Sequence, residues 1–427
     1  RLLNSRGELL VKLRQPAKAA PLLKQAFARD RTNVKLAGLL VESLVASGRF
    51  KEAETFLVDL AGQPLLQTKL PALAAGTAIA SGDKTMPMRI WQACRAAKRD
   101  SGNLAVALAE AAEKLGAPDQ GSAILQSVMD SKPGDVAVTK FIVAMYAAQG
   151  KGDKVLESLS KLLRADPARD DIVDSELASL GRAGIAKDFA RKFAGKIGST
   201  PTDQQASLHY LTGRLGHLQG DESLPLEQYI KAIGADPAFL PTYGRLAEIY
   251  GKKGDNDKLA GLLKKLDKLP GGQESVASHY ARGKVYLAMS NALEAEKSLL
   301  EGRQLDRRHV PTLEALGDAL LMGGRGEAVA AYRLVAQLDP KRSGLSKRLF
   351  EAYMTMRSFG EAKKLADEIL KQAPASRDAK IMLARVLVAS GQNAQAAKLL
   401  DELKARSSDD RTLRLMAIKV DLAGGTP

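Results

Sequence analysis

The sequence predicts an all-α protein, a right-handed superhelical solenoid of about twelve helix-turn-helix units followed by one final helix. Three observations predict it. Pro133, Pro167, Pro201 and Pro237 follow one another at intervals of 34, 34 and 36 residues, and Pro340 and Pro374 resume the interval of 34. Seventeen residues ahead of each of the first four stands a glycine: Gly116, Gly150, Gly184 and Gly220. Between these markers apolar residues recur at helical spacing, and aromatics make up only 4% of the chain. A unit of this length cannot bury its own apolar face. Neighbours bury it for one another, so the core grows along one axis and an extended face stays open.

Aligned on the mid-unit glycine and the closing Asp-Pro, the units run 1–33, 34–67, 68–101, 102–135, 136–169, 170–203, 206–239, 240–273, 276–309, 310–342, 343–376 and 377–410, with a last helix at 411–423. The unit 136–169 shows the logic. VAVTKFIVAMYAAQG forms its first helix, with Phe141, Ala144, Met145 and Ala148 at helical spacing, and Gly150 ends it because glycine enters the left-handed region cheaply. KGDKVLESLSKLLRADP forms the second, with Val155, Leu156, Leu159 and Leu162 on one face. Pro167 stops it by lacking an N–H and by biasing Asp166 away from helix.

Three segments, GRFKEAE (48–54), GRGEAVAAY (324–332) and SFGEAKKLA (358–366), place an alanine after an acid early in the second helix, where two helices must approach closely. With RLAEIYGKKGDNDKLAGLL (245–263) and ADPAFLPTYGRLAEIY (235–250), the pattern resembles the tetratricopeptide repeat along nearly the whole chain. Three units depart from it. The units 68–101 and 206–239 carry Pro87 and Pro225 in place of the alanine, and 170–203 is rich in charge. Shortened or tilted second helices are expected there. Two continuous arrays are expected, an N-terminal one over 1–203 and a C-terminal one over 204–427.

The 427 residues hold no run of roughly 20 apolar residues that could cross a bilayer. One cysteine, Cys94, excludes an intrachain disulfide framework and reads as a core residue beside Trp91. Cysteine poverty suits a cytoplasm or a bacterial periplasm equally. The chain begins at Arg1, and neither end carries a polar capping element, Gly424–Pro427 included; a piece of a longer protein is expected.

Little in the sequence points to chemistry. Of four histidines, His209 and His217 lie eight apart without further ligands, and zinc needs three or four. His209 and His279 hold equivalent places early in their helices and read as packing residues. GGRGEA (323–328) lacks the Lys-Ser or Lys-Thr of a phosphate-binding loop. The acid pairs Glu110 with Glu113 and Asp170 with Asp171 are expected on solvated faces. The expectation is a non-enzyme with no cofactor and no metal.

The resemblance implies an inner groove lined by first helices. One such position lies six residues before the turn glycine or its equivalent, and along the chain it gives Glu42, Glu110, Ala144 and Ala178 in the first half, then Arg214, Glu248, Lys284, Glu351, Arg385 and Lys419. One helical turn earlier come Tyr210, Tyr280 and Lys347. The expected partner site is therefore a basic groove of Tyr210, Arg214, Tyr280, Lys284, Lys347, Arg385 and Lys419. The asparagines with which chaperone-binding members of that family grip a peptide carboxylate are missing. A net charge of +15 steers acidic partners. The expected function is a protein-interaction scaffold for a multiprotein complex, its partner bearing an acidic surface or segment. The alternative is a periplasmic or outer-membrane component of bacterial exopolysaccharide export, suggested by similarity in style to long bacterial repeat lipoproteins, with an anionic polysaccharide in the groove. Helical-repeat RNA recognition is a minor alternative, and no nucleic acid is expected, because the base-reading positions are a mixture of Ala, Glu, Arg and Lys.

Overall fold

The structure is a computed structural model that describes residues 2–63, 68–182, 184–185, 188–270, 275–340, 342, 344–404 and 411–423. Gly424–Pro427 lie outside the described residues. Twenty-five α-helices and no strand are found among the described residues, which is the expected twelve pairs and a final helix. The chain divides into two units, Arg1–Asp236 and Pro237–Pro427.

In the unit Arg1–Asp236, the first helices of the pairs are α1 (Leu2–Lys12), α3 (Val34–Ala46), α5 (Leu70–Ser81), α7 (Gly102–Lys114), α9 (Val136–Ala148), α11 (Val173–Arg182) and α13 (Thr202–Leu218). Their second helices are α2 (Pro16–Arg29), α4 (Phe50–Leu60), α6 (Met86–Ala96), α8 (Pro118–Ser131), α10 (Gly152–Ala165), α12 (Phe189–Ala194) and α14 (Leu224–Ala235). In the unit Pro237–Pro427, the first helices are α15 (Pro241–Lys252), α17 (Val276–Ala288), α19 (Val310–Met322), α21 (Leu345–Thr355), α23 (Arg377–Ala389) and α25 (Arg411–Ala423). The second are α16 (Asn256–Asp267), α18 (Ala292–Leu305), α20 (Ala328–Leu338), α22 (Phe359–Gln372) and α24 (Asn393–Lys404). Within each unit a helix packs on the next in sequence, except that α11 packs on α9 and α13 and not closely on α12, and first helices also touch the first helices beside them: α3 on α5, α5 on α7 and α7 on α9, then α15 on α17 and α17 on α19.

One device builds every turn. Arg14, Gly48, Gly82, Gly116, Gly150, Gly184, Gly220, Gly254, Ser290, Gly324, Arg357 and Gly391 all take a positive φ, one in each of the twelve pairs. In all but one, the N–H that follows reaches the carbonyl five residues back, as from Arg49 to Leu44 and from Lys151 to Tyr146, both at 2.8 Å, which satisfies a carbonyl the helix end would otherwise strand; after Gly82 the Asp83 N–H donates to the Ser81 hydroxyl instead. Several first helices open on a side chain that accepts from the backbone, such as Asn33 from Leu36 and Asp135 from Val138.

The small residue early in the second helix is buried as its sequence pattern requires: Ala19, Ala53, Ala295, Ala328, Ala362 and Ala396 have no exposed surface. At the same place Gly121 faces the backbone of α7, where a Cβ would come within 3.0 Å of the Ala109 carbonyl oxygen. Pro87 and Pro225 cost nothing, because each lies in the first turn of its helix, where no intrahelical N–H bond is lost. The shortened second helix expected for the charge-rich unit is seen: α12 has six residues and gives way to a 3-10 turn over Ile197–Ser199. In α9 the buried set is Val138, Thr139, Ile142, Val143, Met145, Tyr146 and Ala147, so Phe141 is only half-buried and Ala144 and Ala148 stay exposed. The helical spacing of Phe141, Ala144 and Ala148 therefore marks an open face beside the core stripe.

Candidate partner-binding face

In the unit Arg1–Asp236 the open face of the first helices carries a series of apolar residues, with Asn103, Glu110 and Lys140 among them. Counting back nine residues from Gly48, Gly82, Gly116 and Gly150 gives Leu39 on α3, Leu73 on α5, Ala107 on α7 and Phe141 on α9, thirty-four apart and all half-buried. These four form rungs of a track across adjacent helices. The neighbouring positions are small: a Cβ built on Gly38 or Gly76 would meet nothing within 4 Å, so both border open space. Between α7 and α9 the track deepens into a cleft of about 400 Å³, and its lining repeats at the same period: Asn103 with Ala137, Val106 with Lys140, Ala107 with Phe141, and Glu110 with Ala144. The carboxylates of Glu42 and Glu110 edge the track, exposed and without an ion-pair partner among the described residues.

In the unit Pro237–Pro427 the positions six residues before the turn, Glu248, Lys284, Asp318, Glu351 and Arg385, are charged and already matched. Lys284 Nζ on α17 lies 3.0 Å from Glu248 Oε1 on α15. Arg348 on α21 reaches back to α19, donating to Asp318 Oδ1 at 2.9 Å and lying 3.3 Å from Glu314. Arg385 on α23 grips Glu351 on α21 through two hydrogen bonds of 2.5 and 2.8 Å and lies over the Phe350 ring at 5.2 Å. Each base is answered by an acid on the preceding first helix. Burial would push the Glu248 carboxyl up, but Lys284 and Arg245 outweigh it and lower the pKa to about 2.

Of the predicted site residues, Tyr210 and Arg214 lie in the unit Arg1–Asp236 and Tyr280, Lys284, Lys347, Arg385 and Lys419 in the unit Pro237–Pro427. Tyr210 is fully buried against the Tyr229 ring at 5.7 Å, and its hydroxyl donates to Asp170. Arg214 is 4% exposed and pairs with Asp170 at 2.7 Å and with Asp174. Neither lines an open face, and Asp170 is half-buried in this network instead of solvated; the side chain of Asp171 lies outside the described residues. Tyr280 is half-buried, edge-on to His309 at 6.1 Å. Lys284 and Arg385 belong to the paired series, while Lys347 and Lys419 are exposed. Counting positions found the charges, but long side chains one helix apart reach their acids, and that pairing is set by packing.

The sequence reading missed the rungs Leu39, Leu73 and Ala107, although their thirty-four-residue spacing was there to be counted. It also passed over Asp318, Glu314 and Arg348. His209 is buried with Nδ1 donating to Gln228 Oε1 at 2.7 Å, and Cys94 is buried, its thiol pushed up to about 11 by desolvation. Among the described residues no three His, Cys, Asp or Glu side chains converge as metal ligands, and no helix is long and apolar enough to cross a membrane.

The arrangement defines a class, an all-helical repeat protein with an open first-helix face. The family profile of the tetratricopeptide repeat matches residues 10–64 and 353–417, that is, part of α1 through α4 and most of α21 through α25. No curated protein matches the chain. Among solved structures, a chain of the APC/C hetero-tetramer Cut9–Hcn1 is 13% identical, with 98% of this chain and 96% of that one covered and a TM-score of 0.44. A tetratricopeptide repeat protein from Parabacteroides merdae ATCC 43184 is 16% identical, with 61% and 99% covered and a TM-score of 0.40.

Proposed function

We propose that this chain is a non-catalytic scaffold for protein partners, which dock a segment on the open first-helix face of the unit Arg1–Asp236. The observation that carries the reading is the rung series Leu39, Leu73, Ala107 and Phe141 with the cleft at its α7–α9 end. A contiguous apolar track left facing water marks an interaction surface, because its burial against a partner releases free energy that the isolated chain does not use. The tetratricopeptide repeat match supports the same reading. The repeat geometry supports a scaffold role: each added unit lengthens the face and sets its own side chains on it.

The test is site-specific photocrosslinking in the native host. A photoreactive residue at Phe141 should yield a discrete protein adduct, and one at the exposed Asp130 on the second helix α8 should not. Equal adducts at both positions, or none at Phe141, would overturn the assignment of the face.

A further inference from the structure

We infer that α11 and α12 form a flap that opens by itself while α10 and α13 stay packed together, with the buried Arg214 as the latch that holds it shut. The flap is the charge-rich sixth pair, within the unit Arg1–Asp236.

Three observations set this pair apart. In every other pair the two helices pack closely on each other, whereas α11 rests on α9 and α13 and not closely on α12. The stack also closes past the pair. The second helix α10 packs on α13 more closely than on α11, with the buried hydroxyls of Ser160 and Ser207 2.6 Å apart and Arg164 paired with Asp203. Lastly, the pair is short and thinly packed. The helix α12 has six residues and α11 has ten. Their buried apolar side chains are Val173, Leu177, Leu180, Ala190 and Phe193, fewer than half of the eleven that α9 and α10 bury. Helices of this length do not persist without packing partners. Segments with few buried apolar contacts open at a lower free energy than their surroundings. Because α10 already rests on α13, opening here leaves that contact in place.

Charge supplies the latch. Arg214 on α13 is 4% exposed, donates to Asp170 Oδ1 at 2.7 Å and pairs with Asp174, while the Tyr210 hydroxyl donates to Asp170 as well. Asp170 lies in the 3-10 turn Pro167–Ile172 that leads into α11, and Asp174 in the first turn of α11. With the flap shut, these two carboxylates neutralise the guanidinium. With it open, all three charged groups return to water. A buried ion pair of this kind adds little net stability, because desolvation offsets the attraction. Removing its acids is another matter, since closure would then bury an unmatched cation. The ion pairs on the α12 side, Arg191 with Asp221 and Lys196 with Asp153, are more exposed and hold weakly.

The test is hydrogen–deuterium exchange of the full chain, read peptide by peptide by mass spectrometry at neutral pH. Amides of α11 and α12 should exchange about tenfold or more faster than those of α10 and α13, and in step with each other. The double variant Asp170→Asn, Asp174→Asn should speed exchange in α11 and α12 by a further factor of about ten or more, leaving α10 and α13 as they were. Lys196→Gln, which removes an exposed pair on the same flap, should change the rate by less than about fivefold. Equal protection of all four helices in the unaltered chain would overturn the flap, and that reading stands whether or not the double variant folds. Faster exchange in the double variant that spreads equally through α10 and α13 would also overturn it. An effect of the double variant no larger than that of Lys196→Gln would remove Arg214 as the latch.

Discussion

The guanidinium of Arg385 on α23 makes two parallel hydrogen bonds to the carboxylate of Glu351 on α21, thirty-four residues earlier in the chain. The pair joins consecutive first helices at one register position, as Lys284 and Glu248 do further back. Its side chains are 34% and 33% exposed, so solvent screens the attraction, and a coupling of about 0.5–1 kcal/mol is expected. A double-mutant cycle with Glu351→Gln and Arg385→Gln, read from urea midpoints, measures it. The exchanged pair, Glu351→Arg with Arg385→Glu, should recover part of the loss of the single reversals. An exchange no better than either reversal would show that the contact does not join the helices.

Close helix crossings should tolerate no added carbon. A Cβ on Gly317 would lie 2.4 Å from the Tyr332 ring, whose hydroxyl is anchored on Asp318 at 2.8 Å, so the ring cannot swing away cheaply. Gly317→Ala should cost about 1–3 kcal/mol, and Ala328→Leu or Ala362→Leu at their fully buried sites a similar amount. Denaturation midpoints unchanged from the parent would place these residues away from the crossings.

Three of the twelve left-handed turn residues are not glycine: Arg14, Ser290 and Arg357, at φ of 54°, 57° and 57°. A side chain there costs about 1–2 kcal/mol against the carbonyl that follows. Glycine removes that cost and returns about 0.4–1 kcal/mol of it as unfolded-chain entropy. Arg357→Gly and Ser290→Gly should each stabilise by up to about 1 kcal/mol, visible as raised thermal midpoints. Lowered midpoints would mean that these side chains make contacts worth more than the strain.

Acid should weaken the α13–α14 pairing before it weakens the rest. Burial disfavours the charged imidazole of His209 and outweighs the opposing bond to Gln228, so its pKa in the fold lies below the ordinary 6.5. As pH falls below that value the unfolded chain takes up the proton first, so the stability associated with neutral His209 is complete above it and declines below. His209→Gln should flatten this part of the stability–pH curve, read from urea midpoints across the acid range. Proton NMR titration should place the His209 imidazole below the ordinary 6.5.

Much of the fold was legible because it repeats. The glycine and proline intervals located the helix pairs, the alanine after an acid located the crossings, and Ala53, Ala328 and Ala362 are buried as that pattern requires. The site was less legible. Register counting shows which residues share a face, but the reach of a side chain across to the next helix depends on packing. Arg214 shows this: its position matched Lys284 and Arg385, yet Asp170 and Asp174 draw it inside. Phe141 shows the converse, an apolar residue at core-like spacing that faces outward because Ile142, Met145 and Tyr146 already fill the interior.

The rungs of the apolar track are evenly spaced and unequal in size, and the inequality has a consequence for how a partner is aligned. Four identical rungs would let a ligand slide by one step and meet the same surface again, giving several bound states of similar energy. Leu39 and Leu73 are interchangeable in bulk, but Ala107 leaves a hollow and Phe141 raises a ridge beside it. A ligand displaced by one rung would set its large side chain on the ridge and leave the hollow empty. For a partner docked as proposed, the Ala107–Phe141 step would act as a notch that selects a single alignment from a periodic surface.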